Sequence, residues 1–301
     1  MRTIEYLTDP RLRGLFLPGV LAAIAIACMT GPFSVLVVLR RMAFIGQGIS
    51  HAAFGGVGIA LLLGLTTVGI SGFLLDGVVL AFAIAAAMLI AWMSARGRGE
   101  VDTAIGIVLA VCMAAGFVLH GFAAEQAAGR GEVPPPSLES ILFGSMLGTG
   151  WVDAATAWGA ALYTVGLMAW FRRPLVFWAF DDGVAVVHGV NASGMRQLTL
   201  VLLALIVITT MKLAGIVLAT AMLVLPGAAA CRVARAWGLR LGGTLVCSSV
   251  VAMVGVVAGV VLSFETDLQT GPSIVAVLAV VYGASLAWPH RLRSDDEHAA
   301  A

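Results

Sequence analysis

LFLPGVLAAIAIACMTGPFSVLVVL, residues 15–39, runs directly into Arg40-Arg41. About 20 apolar residues carry a helix across a hydrocarbon core of roughly 30 Å, so this run is long enough to span and too long for a signal-peptide core. It predicts a first transmembrane helix, and the Ile26-Ala27-Cys28 triplet inside it is read as helix, not as a lipoprotein cleavage site. Working outward, further apolar segments lie near 48–65, 73–94, 103–122, 153–171, 197–211, 213–226, 241–263 and 272–289. They predict an all-α, polytopic membrane protein of about eight or nine spans. Residues 1–301 then form one domain, with a bundle over 14–289 and a solvated cytoplasmic tail over 290–301. The segments 197–211 and 213–226 are short, which predicts two legs of a tight turn around Lys212-Leu213-Ala214-Gly215. Broken helices are tolerated at membrane depth where protein or a water-filled cavity covers them.

Composition agrees: 60% of the chain is hydrophobic and 11% charged, against about 25% charged in soluble domains. The formal net charge of +1 gives no reason to expect a nucleic-acid partner. Basic residues sit at Arg40-Arg41, Arg96 and Arg98, Arg172-Arg173, Arg232, Arg235 and Arg240, then Arg291 and Arg293. With those connections cytoplasmic, the positive-inside rule holds at alternate loops, leaving Arg130 and Lys212 on the external side. Arg2, Arg11 and Arg13 break the rule on a nine-span count. Two long loops are expected, an external one over 123–140 with Glu125, Glu132 and Glu139, and a cytoplasmic one over 172–195. Cys28, Cys112, Cys231 and Cys247 lack C-x-x-C spacing and read as small buried hydrophobes. Gly255-x-x-x-Gly259 and Gly144-x-x-x-Gly148 have the spacing for close helix approach, but 36 glycines make chance matches common. No G-x-x-x-x-G-K-[ST] loop occurs, so the chain binds no ATP through a P-loop of its own.

Three segments stand out from the apolar background: GPFSVLVVLRRMAFIGQGISHA at 31–52, MKLAGIVLATAMLVLPGAAACR at 211–232, and GPS at 271–273. With weaker matches at DTAIGI (102–107) and LFG (142–144), in this order, they resemble the permease subunit of bacterial ABC importers for zinc and manganese. The zinc-importer branch, with Gly-Pro before the Arg-Arg-Met stretch and Gly-Pro-Ser opening the last helix, is the nearer one. The resemblance implies a two-fold homodimer in the bacterial cytoplasmic membrane, two copies of a cytoplasmic ATP-binding subunit, and an extracytoplasmic metal-binding protein. It implies no bound cofactor, only a transported ion, Zn2+ or alternatively Mn2+.

His51 is the central candidate. A polar side chain inside a span is costly and is by default functional, the alternative being a histidine that bonds a neighbouring carbonyl and binds nothing. The family carries an Asp four residues before this His, and this chain has Gln47 there. Imidazole suits zinc and an anionic oxygen suits manganese, so the missing carboxylate tilts the site toward zinc. In the implied dimer, two His51 and two Gln47 gather about the axis. Such a set is weaker than a closed structural site, as a transported ion requires.

Asp267, in the external turn with Glu265, matches an acidic position of the family, and His120 ends a span beside the acidic 123–140 loop; both are peripheral metal candidates. For Lys212, snorkelling to the interface is an adequate reading. His188, His290 and His298 fall on the cytoplasmic side and receive no metal role. Pro226 is expected to end a span, and the stretch from Gly227 to Trp237, with Ala228, Ala229, Arg232 and Arg235, to form a short cytoplasmic helix. In the family this region couples to the ATPase. Two rivals stand beside this reading. An ATP-independent secondary transporter or channel shares the polar break in an apolar bundle, and an intramembrane hydrolase could use Ser50 and His51. Adjacent helical residues point about 100° apart, and no Gly-x-Ser-x-Gly elbow is present, which weighs against the enzyme.

Overall fold

A computed structural model describes residues 10–65, 70–96, 101–131, 134–137, 144 and 149–287. Arg2, Arg98, Glu132, Glu139, the 142–143 part of the LFG match, Gly148 and the 290–301 tail lie outside the described residues. Among the described residues every regular element is a helix: α1 (Pro10–Leu39), α2 (Ala43–Leu62), α3 (Ile70–Arg96), α4 (Val101–Arg130), α5 (Trp151–Trp170), α6 (Arg172–Phe180), α7 (Asp182–Val187), α8 (Ala192–Trp237), α9 (Leu241–Thr266) and α10 (Thr270–Ala287).

Seven of these helices are long and apolar enough to cross a membrane, and α5 with its continuation α6, bent by 76°, makes an eighth. α8 carries both short segments, 197–211 and 213–226, in one 46-residue element broken only at Gly215 (φ 82°, ψ 167°). Only glycine takes that backbone conformation readily. The break turns the chain back on itself. A Cβ placed on Gly46 would lie 3.3 Å from Leu223 Cδ1 and 3.6 Å from Leu203 Cδ1. In a straight helix those two leucines would stand about 30 Å apart. The two legs therefore run side by side, as the short segments predicted, and each is long enough to cross.

The legs place the two ends of the bundle. Lys212, just before the turn, reaches Asp76 near the start of α3 and Asp153 near the start of α5, and at the same end Phe16 of α1 stacks edge-on against Phe264 of α9 at 4.7 Å. At the other end Gly227 packs on the Ser34–Val35 backbone of α1, and Arg232 Nε donates to the Ser285 carbonyl of α10 at 3.4 Å. Arg40 lies over the Trp178 ring at 4.1 Å there. By the arginine pattern this second end is cytoplasmic.

Lipid offers no hydrophobic drive between helices, so close backbone approach and internal hydrogen bonds hold the bundle. Ser34 Oγ and Ser248 Oγ both donate to the Gly31 carbonyl (2.7 and 2.6 Å), tying α9 to α1. Gly255 and Gly259 seat α9 directly on Leu278 and Ile274 of α10, so this pair does mark an interface. Buried Thr30, Ser50 and Thr210 return their hydroxyls to carbonyls four residues back, leaving no demand on lipid.

Two of the expectations for the connections need correction, and a third gains detail. Pro226 does not end its span: α8 continues through it to Trp237 and stops at Gly238, in the left-handed region at φ 65°. A proline inside a helix loses one backbone bond, and a covered bundle absorbs that cost. The 172–195 stretch, long enough to hold structure, holds α6 and α7; Pro174 sits in the first turn of α6, where its missing N–H has no partner to lose. The external loop starts later than residue 123, because α4 runs on to Arg130.

Candidate functional site on α2

α2 begins just past Arg41, and its sides are unequally covered. Gly48 faces Ile105 of α4, Gly56 faces Val79 and Phe82 of α3, and Gly58 meets Leu119 and the Gly116 carbonyl of α4. Gly46 faces both legs of α8. With glycine at each contact, α3, α4 and α8 come close on those sides. The remaining side carries Phe44 and Gln47, both exposed, and His51, half-buried. Gln47 and His51 are one helical turn apart and share that open face, and His51 lies about 12 Å along α2 from its cytoplasmic start.

His51 Nδ1 is buried and has no hydrogen-bond partner among the described residues. A buried imidazole nitrogen without a partner is costly, which makes this atom a candidate to meet a group from outside the described residues. Ser50 faces elsewhere: it is buried and its hydroxyl donates to the Gly46 carbonyl at 2.8 Å. The pair is not a nucleophile and base, which removes the hydrolase reading.

The peripheral candidates take structural positions. His120 Nε2 pairs with the Pro136 carbonyl at 2.9 Å, tethering the segment after α4. Asp267 closes α9 in the left-handed region (φ 57°), its N–H donating to the Ser263 carbonyl. Among the described residues no three His, Cys, Asp or Glu side chains gather into a metal site. Of the expected coupling residues, Pro226, Gly227 and Ala229 are buried and Ala228 is half-buried, so they hold the second leg of α8 inside the bundle. Arg232 is half-buried, and Arg235 is exposed.

Lys212 is the residue the sequence undervalued. It does not simply snorkel: its Nζ lies 2.8 Å from Asp76 Oδ2 and 3.0 Å from Asp153 Oδ1, joining three helices at the turn of α8. Asp153 Oδ2 also accepts from the Gly150 N–H at 3.1 Å, fixing the start of α5. The available signal was one lysine in the whole chain, with isolated acids at the external ends of two other spans. Lys212→Met should leave the two carboxylates facing each other and cost about 1–2 kcal/mol, less than a fully buried pair because all three side chains keep some solvent. Thermal unfolding of the purified variant checks this, with Asp76→Asn expected to cost less because Asp153 still pairs. An unchanged midpoint for Lys212→Met would show that the ion cluster holds nothing.

Residues 14–288 match the ABC 3 transport family. The chain belongs to that family. The permease is 28% identical to the high-affinity zinc uptake system membrane protein ZnuB of Haemophilus influenzae, over 92% of this chain and 99% of that one. It is 30% identical to the manganese transport system membrane protein MntC of Halalkalibacterium halodurans, over 94% and 90%. Its fold overlays that of PsaBC from Streptococcus pneumoniae with a TM-score of 0.79 and 26% identity, covering 98% of both chains. It is thus a multi-pass permease of an ABC metal importer, in the bacterial inner membrane, and ATP hydrolysis belongs to a partner. The nearer match to a zinc branch does not separate out, since zinc and manganese relatives are similarly close.

Proposed function

We propose that the permease imports zinc as a two-fold dimer, with two copies of a cytoplasmic ATPase and an external metal-binding protein. The observation that carries this is the unpartnered Nδ1 of His51 on the open face of α2, beside Gln47. Two copies related by an axis along that face bring two imidazoles and two neutral amides together, and no carboxylate. Imidazole nitrogen favours zinc, while manganese favours anionic oxygen. His120, inside α4, bonds the Pro136 carbonyl and Asp267 closes α9, so the proposed path is built without either.

Coupling to the ATPase falls to the exposed cytoplasmic surface. Arg235 stands at the end of the second leg of α8, with Arg232 one turn before it, and their charge suits an acidic groove. Phe180 at the end of α6 and Val187 at the end of α7, 65% and 85% exposed, add apolar contact. The second leg links that surface to Gly46, one residue from Gln47.

Reconstitution tests the reading against an ATP-independent carrier. In proteoliposomes, uptake of radioactive zinc should require the ATPase, ATP and the loaded binding protein together. Full zinc uptake by the permease alone would establish the secondary carrier instead.

A further inference from the structure

A slot of about 240 Å³ lies between α1, α5, α6 and α9 on the cytoplasmic side of the bundle. Pro32, Leu39, Val165, Met168, Leu175 and Leu245 are among its walls, and Arg172 is the one charged residue lining it. From Leu39 to Pro32 on α1, and from Arg172 to Val165 across the end of α5, the slot reaches about 10 Å into the membrane. That is about a third of the hydrocarbon core, within one leaflet. Val165 and Ala169 are exposed, so it opens on the outer surface of the chain. Its mouth is basic. Arg172 and Arg173 are exposed at the start of α6, and exposed Arg240 directly precedes Leu241, another lining residue. Two acids, Asp181 and Asp182, follow the far end of α6, and Asp181 accepts from the Gly183 N–H at 2.6 Å.

We propose that this slot binds an anionic phospholipid of the inner leaflet, with an acyl chain between α1, α5 and α9 and the headgroup phosphate on Arg172 and Arg240. A soluble partner does not reach apolar walls at that depth, whereas an acyl chain fills them without leaving lipid. The guanidinium groups match phosphate in geometry and charge, and basic pockets between helices on the cytoplasmic side select anionic headgroups. The lipid would brace the 76° bend between α5 and α6. This site does not depend on which ion is carried.

Native mass spectrometry of the detergent-extracted transporter tests it, titrating phosphatidylglycerol against phosphatidylethanolamine with the same acyl chains. Wild type should retain phosphatidylglycerol preferentially. Replacing both arginines (Arg172→Gln and Arg240→Gln) should weaken it about 30-fold, a factor of about 5 for each charge, down to the level of phosphatidylethanolamine. Ala169→Phe, which fills the slot from an exposed position, should weaken both lipids. Three results would overturn the proposal: wild-type lipid retention by these variants, displacement of the lipid by glycerol 1-phosphate alone, or a disulfide-linked pair of Ala169→Cys chains, which would mean that a second copy covers the slot.

Discussion

His51→Ala is expected to cut zinc uptake by about 10- to 100-fold or more while leaving the permease folded and in the membrane. Losing even an outer-shell partner of a metal ligand costs that much, and here the dimer would lose both of its imidazoles. Folding should survive because His51 is only half-buried and its Nδ1 makes no hydrogen bond that the chain would lose. Gln47→Asp, one turn away on the same exposed face, should add an anionic oxygen and shift preference toward manganese, the harder ion. Uptake of radioactive zinc and manganese, measured side by side for the two variants, checks both statements. Wild-type zinc uptake by His51→Ala would make the histidine a packing residue and remove the proposed path.

Gly227→Leu should have the largest effect on stability, above about 3 kcal/mol and enough to lose the protein from the membrane. Its missing Cβ is what lets the second leg of α8 sit on α1: a Cβ there would collide with the Ser34 carbonyl and lie 2.8 Å from the Val35 nitrogen. Overpacking against side chains costs about 1–3 kcal/mol, and backbone yields less than side chains do. Arg235→Glu is the matching contrast. Arg235 is exposed and its Nε reaches only the Cys231 carbonyl in its own helix, at 3.3 Å. Its replacement should change stability by no more than about 0.5 kcal/mol while reducing uptake and ATPase co-purification. Membrane yield and thermal unfolding measure the first variant, uptake and pull-down the second. A stable Gly227→Leu protein, or a fully coupled Arg235→Glu protein, would refute the division made here between the packed and the docking halves of residues 226–235.

Patterning along the chain determined a great deal by itself. Apolar runs of span length and basic residues at alternate connections establish a polytopic membrane protein, and the ordered segments at 31–52, 211–232 and 271–273 carry the resemblance to an importer permease. The runs and the charges are local properties, imposed segment by segment by the bilayer, and need no knowledge of neighbours. The turn between the short apolar runs was legible for the same reason, since neither run is long on its own and Gly215 stands near their junction. Which residue meets which was not legible. Pro226 looks like a stop signal and Gly227–Ala228–Ala229 like a surface motif, yet α8 runs through them because α1 covers that face. Lys212 looked like a solitary snorkelling charge until Asp76 and Asp153, far away in sequence, closed on it. The open side of α2 likewise emerged only after α3, α4 and α8 had taken the other sides. Lipid dictates each helix from its own composition, but contacts between helices depend on where small residues permit approach and where charges find partners, and only the assembled bundle decides that.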